Sequence, residues 1–217
     1  LGAGASASLA APSFNSAKFS RAQSITNQYF PLTPGTTFFF EGTFDGKSSN
    51  SHFYVSHQTR VILGIPCVVV RDSVWVEGAI EETTADWFAQ DDDMNVWYMG
   101  EYSTVYPSLS HEGSFQAGVL GAQAGIIMEG DPQVGDIYRQ EYFVGHAEDS
   151  AKILSLTESI CVPYGCYTGN VLLTNEQTPI DPGITEAKHY AVGIGNIKST
   201  DITGSTDESH LVAITHD

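Results

Sequence analysis

From Tyr29 onward the chain is a succession of short β-branched and aromatic runs separated by Gly, Pro, Asp and Asn, and this punctuation constrains the fold more than any other feature. Such spacing predicts strands over 37–44, 52–62, 66–76, 80–90, 96–102, 137–143, 151–161, 166–174, 185–191 and 212–215. Glu77-Gly78 joins Val74-Trp75-Val76 to Ala79-Ile80 as a tight hairpin, and Asp91 to Asn95 joins the Trp87 strand to the Trp97 strand. No repeat of 20 to 50 residues is visible, so a solenoid or propeller is not expected. The fold class that follows is all-β: one antiparallel open barrel or strongly curved sheet. The exception to the strand pattern is His111 to Gly130, punctuated by Gly113, Gly118, Gly121, Gly125 and Gly130, which reads as a Gly-rich loop covering one end or the concave face.

The division expected is a basic Ala/Ser/Gly-rich arm over 1–27 and a β-rich domain over 28–217. Fifteen of the first 27 residues are Ala, Ser or Gly, and this stretch carries Lys18 and Arg21 without any acid. The rest of the chain holds all 26 acids, and the formal net charge is −17. Nucleic acid and anionic membranes are therefore disfavoured as partners. The longest apolar run, Val61 to Val70, is broken by Gly64 and Pro66, so no membrane span is expected. The small-residue arm reads as the mature side of a secretory cleavage site, which gives a secreted or periplasmic location. Arm and body attract electrostatically, so the part from Phe14 to Asn27 is expected to lie on β-structure through Phe14, Phe19 and Ile25. That surface belongs either to the same chain or to a neighbour; the second case makes residues 1–27 a means of self-association into a homo-oligomer.

Cys161 and Cys166 flank Val162-Pro163-Tyr164-Gly165, a turn between two β-prone runs, so a hairpin would set them face to face for a disulfide. Two buried thiols, or half of a metal site, are the other readings. Cys67 reads as a buried thiol.

Several stretches together resemble a group of exported bacterial β-rich proteins without an agreed biochemical role. They are Asn27 to Thr36, Ala89 to Asp91 with Asn95 to Glu101, Gly135 to Tyr142, Val162 to Gly165, and Lys188 to Gly195. The resemblance spans about residues 27–198. It implies a curved antiparallel sheet or open barrel and implies no activity.

The residues offer two candidate cation sites. One is the Asp91-Asp92-Asp93 hairpin tip; the other is the turn carrying His146, Glu148 and Asp149, with Glu141 just before it. Either could hold Ca²⁺ through carboxylate oxygens, or the turn a transition metal through His146; a solvated acidic turn is the plain alternative. An EF-hand is excluded, because counting from Asp91 the required Gly and Glu positions hold Val96 and Tyr102. Glu101, beside Trp97 on a strand, and Glu141 are candidate catalytic carboxylates. No nucleophile elbow, phosphate loop or dinucleotide fingerprint is present, so no nucleotide cofactor is expected.

Three functions stay open at this point. The first is an exported binding protein whose concave site is lined by aromatics such as Phe40, Tyr54, Trp87, Trp97, Tyr138 and Tyr142 and takes a small apolar molecule or glycan, with Ca²⁺ as a stabilising ion. The second is an extracellular hydrolase or lyase using paired carboxylates. The third is a structural subunit assembled through its arm.

Overall fold

A computed structural model describes residues 9–217. Its strands are β1 (Thr36–Phe44), β2 (Lys47–Ile62), β3 (Ile65–Val76), β4 (Ala79–Gln90), β5 (Val96–Val105), β6 (Phe115–Gln116), β7 (Gln123–Met128), β8 (Ile137–Arg139), β9 (Glu141–Tyr142), β10 (Ser150–Val162), β11 (Gly165–Gln177), β12 (Thr185–Ala191), β13 (Gly195–Thr203) and β14 (Glu208–His216). Among the described residues the sole helical element is the 3-10 turn Ser16–Lys18.

All the strands belong to one 14-stranded antiparallel sheet. Its order is β8-β10-β11-β12-β13-β14-β1-β2-β3-β4-β5-β7-β9, with β6 added to β5. The hairpins β1–β2, β2–β3 and β3–β4 turn on Asp45-Gly46, Leu63-Gly64 and Glu77-Gly78, where both central residues have positive φ. That conformation matches the twist of the flanking strands, which is why the two-residue loops sit there. Strand β1 pairs with β14 from Thr36↔His216 to Thr43↔Glu208, joining two parts of the chain far apart in sequence.

The sheet curls into a nearly closed barrel, and its two outer strands are consecutive in the chain. Tyr138 pairs with Ala151 of β10, whereas Glu141 pairs with Ala124 of β7. Between them the Gln140 N–H bonds to the Asp149 carbonyl at 2.8 Å. One backbone segment therefore spans the seam, changing hydrogen-bonding partner as it crosses. Gly125 allows this: a Cβ there would lie 2.1 Å from the Gln140 carbonyl oxygen.

Period-two alternation divides the apolar residues between two cores. Val68 and Val70 of β3, Phe88 of β4 and Tyr98 of β5 point inside, where Tyr29, Leu32, Phe38, Val55, Tyr138, Leu172 and Tyr190 join them. Cys67, Val69, Trp87, Ala89, Trp97 and Met99 point outside, and the arm covers them with Phe14, Phe19 and Ala22. Phe14 stands edge-on to Trp97 at 5.5 Å, and Phe19 lies 6.0 Å from the same ring. Lys18 pairs with Asp93, and Ser20 N–H donates to Asp92 at 3.1 Å. Arg21 is exposed and has no carboxylate within ion-pair distance among the described residues. Ile25 enters the inner core. Residues 1–8 of the arm lie outside the described residues.

Eight of the 20 residues in the Gly-punctuated segment are strand rather than loop. Phe115–Gln116 and Gln123–Met128 both pair with β5, and Phe115 packs edge-on against Tyr98 at 5.5 Å. Two of its glycines allow close backbone approach, Gly125 to Gln140 at the seam and Gly130 to Asp93 in the β4–β5 hairpin. Cys161 and Cys166 are register partners in the β10–β11 hairpin and form a disulfide.

Candidate functional site

The barrel interior holds a cavity of about 270 Å³. Its floor is the segment that follows the arm, where Phe30, Pro31 and Leu32 close one end of the barrel. Asn27 fixes that segment: its Nδ2 donates to the Met94 and Glu129 carbonyls, both at 2.9 Å, while its Oδ1 accepts from Tyr29 N–H at 2.8 Å. Above the floor the wall is Phe38, Phe53, Phe88 and Ile194, and Phe30 contacts Phe88 at 5.4 Å. Higher still it turns polar, with Asp72, Asp86, Lys188 and the Tyr190 phenol, then Ser51, Ser199 and Ser209. The serines and Phe40 are shared with a second cavity of about 300 Å³ at the mouth, which is bordered by Glu41, Glu186, Asp201, Asp207 and Glu208.

The polar girdle arises where the inward face of each strand changes character. Along β3 the inward positions run Val68, Val70, Asp72; along β4 they run Phe88, Asp86, Thr84. Asp72 pairs with Thr84 in the ladder, and Asp86 pairs with Glu101 of β5. Tyr98 stacks on Phe88 at 4.9 Å and donates its hydroxyl to Asp86 Oδ1 at 2.6 Å. The same hydroxyl lies 3.0 Å from Glu101 Oε2. Glu82 Oε1 accepts from Thr84 and Ser103, both at 2.8 Å.

Burial governs the titration of these inner-face acids. It pushes the Asp72 carboxyl up to about 7, against a backbone hydrogen bond from Ser73. Asp86 is raised well above the carboxylate range, first by burial and then by the charge of Asp72. Glu101 is likewise pushed up to about 7 by burial, with the Tyr98 hydroxyl opposing. Lys188 is the one cation lining the cavity among the described residues. Burial works against its charge, yet the carboxylates of Glu176 at 2.9 Å and Glu186 at 3.1 Å hold the ammonium well above its ordinary range. Lys188 is thus already neutralised, and Asp72 and Asp86 have no cation of their own. Asp72 Oδ1 is sealed from solvent and has no hydrogen-bond partner among the described residues.

The residues singled out from sequence are distributed over several places. Phe40 lines the cavity, and Tyr138 is in the inner core with its hydroxyl buried. Trp87 and Trp97 do not line the interior: they belong to the outer core, with Arg60 stacked 4.1 Å over Trp87 and the arm covering Trp97. Tyr54 is paired with Asp217, and Tyr142 lies at the seam beside Arg139. Glu101 and Glu141 both point into the acid-rich interior, where burial and then the charge of Asp149 raise Glu141 well above its usual range. Neither borders the 270 Å³ cavity.

The two proposed cation sites are organised around protein donors. The Asp91 carboxylate accepts from Asp93 N–H at 3.0 Å, Asn95 N–H at 2.8 Å, Asn95 Nδ2 at 2.9 Å and Trp97 Nε1 at 2.8 Å. Buried and satisfied in this way, it shapes the hairpin. Asp93 is turned to Lys18. His146 stacks on Phe143 at 4.4 Å, Glu148 Oε2 accepts from Gly145 N–H at 3.0 Å, and the Asp149 carboxyl is raised by burial. Among the described residues no three His, Cys, Asp or Glu side chains are arranged to hold a metal ion, and no helix is long and apolar enough to cross a membrane.

No family model and no curated protein matches the chain in sequence. In architecture it is similar to an inferred exported protein with a YmcC-like fold from Bacteroides fragilis, with TM-score 0.50 and 16% identity over 87% of this chain and 99% of that one. The barrel has a YmcC-like fold. An inferred lipoprotein from Parabacteroides distasonis aligns with TM-score 0.40 and 13% identity, over 87% of this chain and 99% of its own.

Sequence reasoning missed Asp72, Asp86, Lys188 and Tyr190. The available signal was an acid falling in phase with an apolar face, as in Val68, Val70, Asp72 and again in Phe88, Asp86. A local rule broken in that way often marks a functional position.

Proposed function

We propose that this is an exported binding protein that holds a small, largely apolar molecule inside its barrel. The observation that carries the reading is the cavity itself: an apolar floor, a girdle of convergent polar groups and a mouth leading to solvent. That combination characterises small-molecule sites. The volume lies between the roughly 150 Å³ that takes a benzene ring and the roughly 300 Å³ at which drug-sized sites begin. Export is supported by the Cys161–Cys166 disulfide, which suits an oxidising compartment, and by the exported neighbour that shares the fold.

The test is titration with N-phenyl-1-naphthylamine, an uncharged dye that brightens in apolar surroundings. Saturable 1:1 binding is expected, and it should be lost in Ser51→Trp, which fills the passage between the two cavities. Dye binding unchanged by that substitution places the dye elsewhere and refutes the reading. Fractionation of the source cells, with the protein found outside the cytoplasm, checks the compartment.

A further inference from the structure

The chemistry of the girdle specifies more than an apolar guest. We propose that the ligand is a small primary ammonium compound, its apolar body on the floor against Phe30, Phe53 and Phe88 and its ammonium between Asp72 and Asp86. This rests on the reading of the barrel interior as a binding chamber.

The argument begins with charge. Two carboxyls border the cavity without a cation, since Lys188 is engaged by Glu176 and Glu186. A buried carboxylate is costly unless paired. Tyr98 supplies one hydrogen bond to Asp86, and Asp72 Oδ1 has no partner at all among the described residues. An ammonium group carries three donors and no acceptor, which matches a wall offering acceptors.

Position agrees with charge. The acids stand midway between an apolar floor and a wet mouth, so a molecule entering tail first meets them with its polar end. The mouth carries Glu41, Asp201, Asp207 and Glu208, and the chain has a net charge of −17. Such a field concentrates cations at the opening and repels anions. The competing possibility is a neutral guest hydrogen-bonded to protonated acids. It is the weaker one because a neutral guest gains nothing from the negative field at the mouth and offers fewer donors than the girdle has acceptors.

Three probes sharing one ring decide between these: cyclohexylmethylamine, cyclohexylmethanol and cyclohexanecarboxylate, titrated calorimetrically into the full chain at pH 8 and pH 5. At pH 8 the amine should bind about tenfold or more tighter than the alcohol, the gain expected of hydrogen bonds to a charged group, and the carboxylate weakest. Amine affinity should fall at pH 5 while alcohol affinity stays constant, because only the amine needs ionised acids. Asp72→Asn and Asp86→Asn should each lose the amine preference and keep alcohol binding. Equal binding of amine and alcohol by the wild-type protein at pH 8 overturns the inference and leaves the chamber reading standing. Failure of all three probes, together with failure of the dye, removes both.

Discussion

Replacing Asp72 by Asn should raise the melting temperature of the ligand-free protein at pH 8 by more than it does at pH 5. Burial lifts the Asp72 carboxyl from an ordinary 3.8 to about 7 in the folded chain. An acid raised on folding contributes stability that is fully present below 3.8 and is lost as pH rises through about 7. Integrating over that window, the loss is roughly 4 kcal/mol by pH 8 and under about 2 kcal/mol at pH 5. Asn has the same shape and never ionises, so it removes the pH-dependent part. Any fixed cost, such as a weaker bond from Ser73 N–H, is the same at both pH values and cancels. The gap between variant and wild type should therefore widen by about 2 to 3 kcal/mol between pH 5 and pH 8, or roughly 5 to 10 °C for a chain of this size. Calorimetric melts of both proteins in matched buffers measure it. A gap that is equal at the two pH values, or wider at pH 5, refutes the claim that Asp72 is strained by its own charge.

Asn27→Ala should cost about 3 kcal/mol or more in chemical denaturation, because the Met94 and Glu129 carbonyls and the Tyr29 N–H lose their partner together; a loss below about 1 kcal/mol would show that water replaces it. Phe19→Ala should lower stability by about 2 kcal/mol, less than for a fully buried ring, and red-shift tryptophan emission as Trp97 is uncovered; unchanged emission would argue against arm docking. Thiol titration of unfolded, unreduced protein should find one thiol, from Cys67, which burial pushes up to about 12 and keeps unreactive in the native state. Replacing both Cys161 and Cys166 by Ala should cost about 2 kcal/mol, since the loop they close is short.

The strands most easily read in the sequence were β1, β3, β4, β10 and β12, each of which begins and ends within a residue of expectation. Strand β13 was missed because its inward positions include Ser199, which faces the cavity, so the apolar alternation is reduced to Ile197. Strand β7 was missed for a different reason: Gly125, which weakens a strand locally, is required there by the approach of the Gln140 carbonyl. The arm's anchors Phe14, Phe19 and Ile25 were legible as the large apolar residues of an otherwise small-residue stretch. The chamber was not, because it needed β3, β4, β12 and β13 in register. Aromatic content alone could not separate Phe40, which faces inward, from Trp87 and Trp97, which sit on the opposite surface of the same sheet.

The pairing of β1 with β14 sets the order in which this barrel can be completed. As the chain emerges from a ribosome or a translocation pore, β1 to β5 can form their meander early, but β1 keeps an open edge until Glu208–His216 arrives. Half of the hydrogen-bonding capacity of Thr36–Phe44 thus waits for a strand made long after it. During that interval the chain remains extensible and threadable, and closure acts as a latch that cannot engage before β14 has been made.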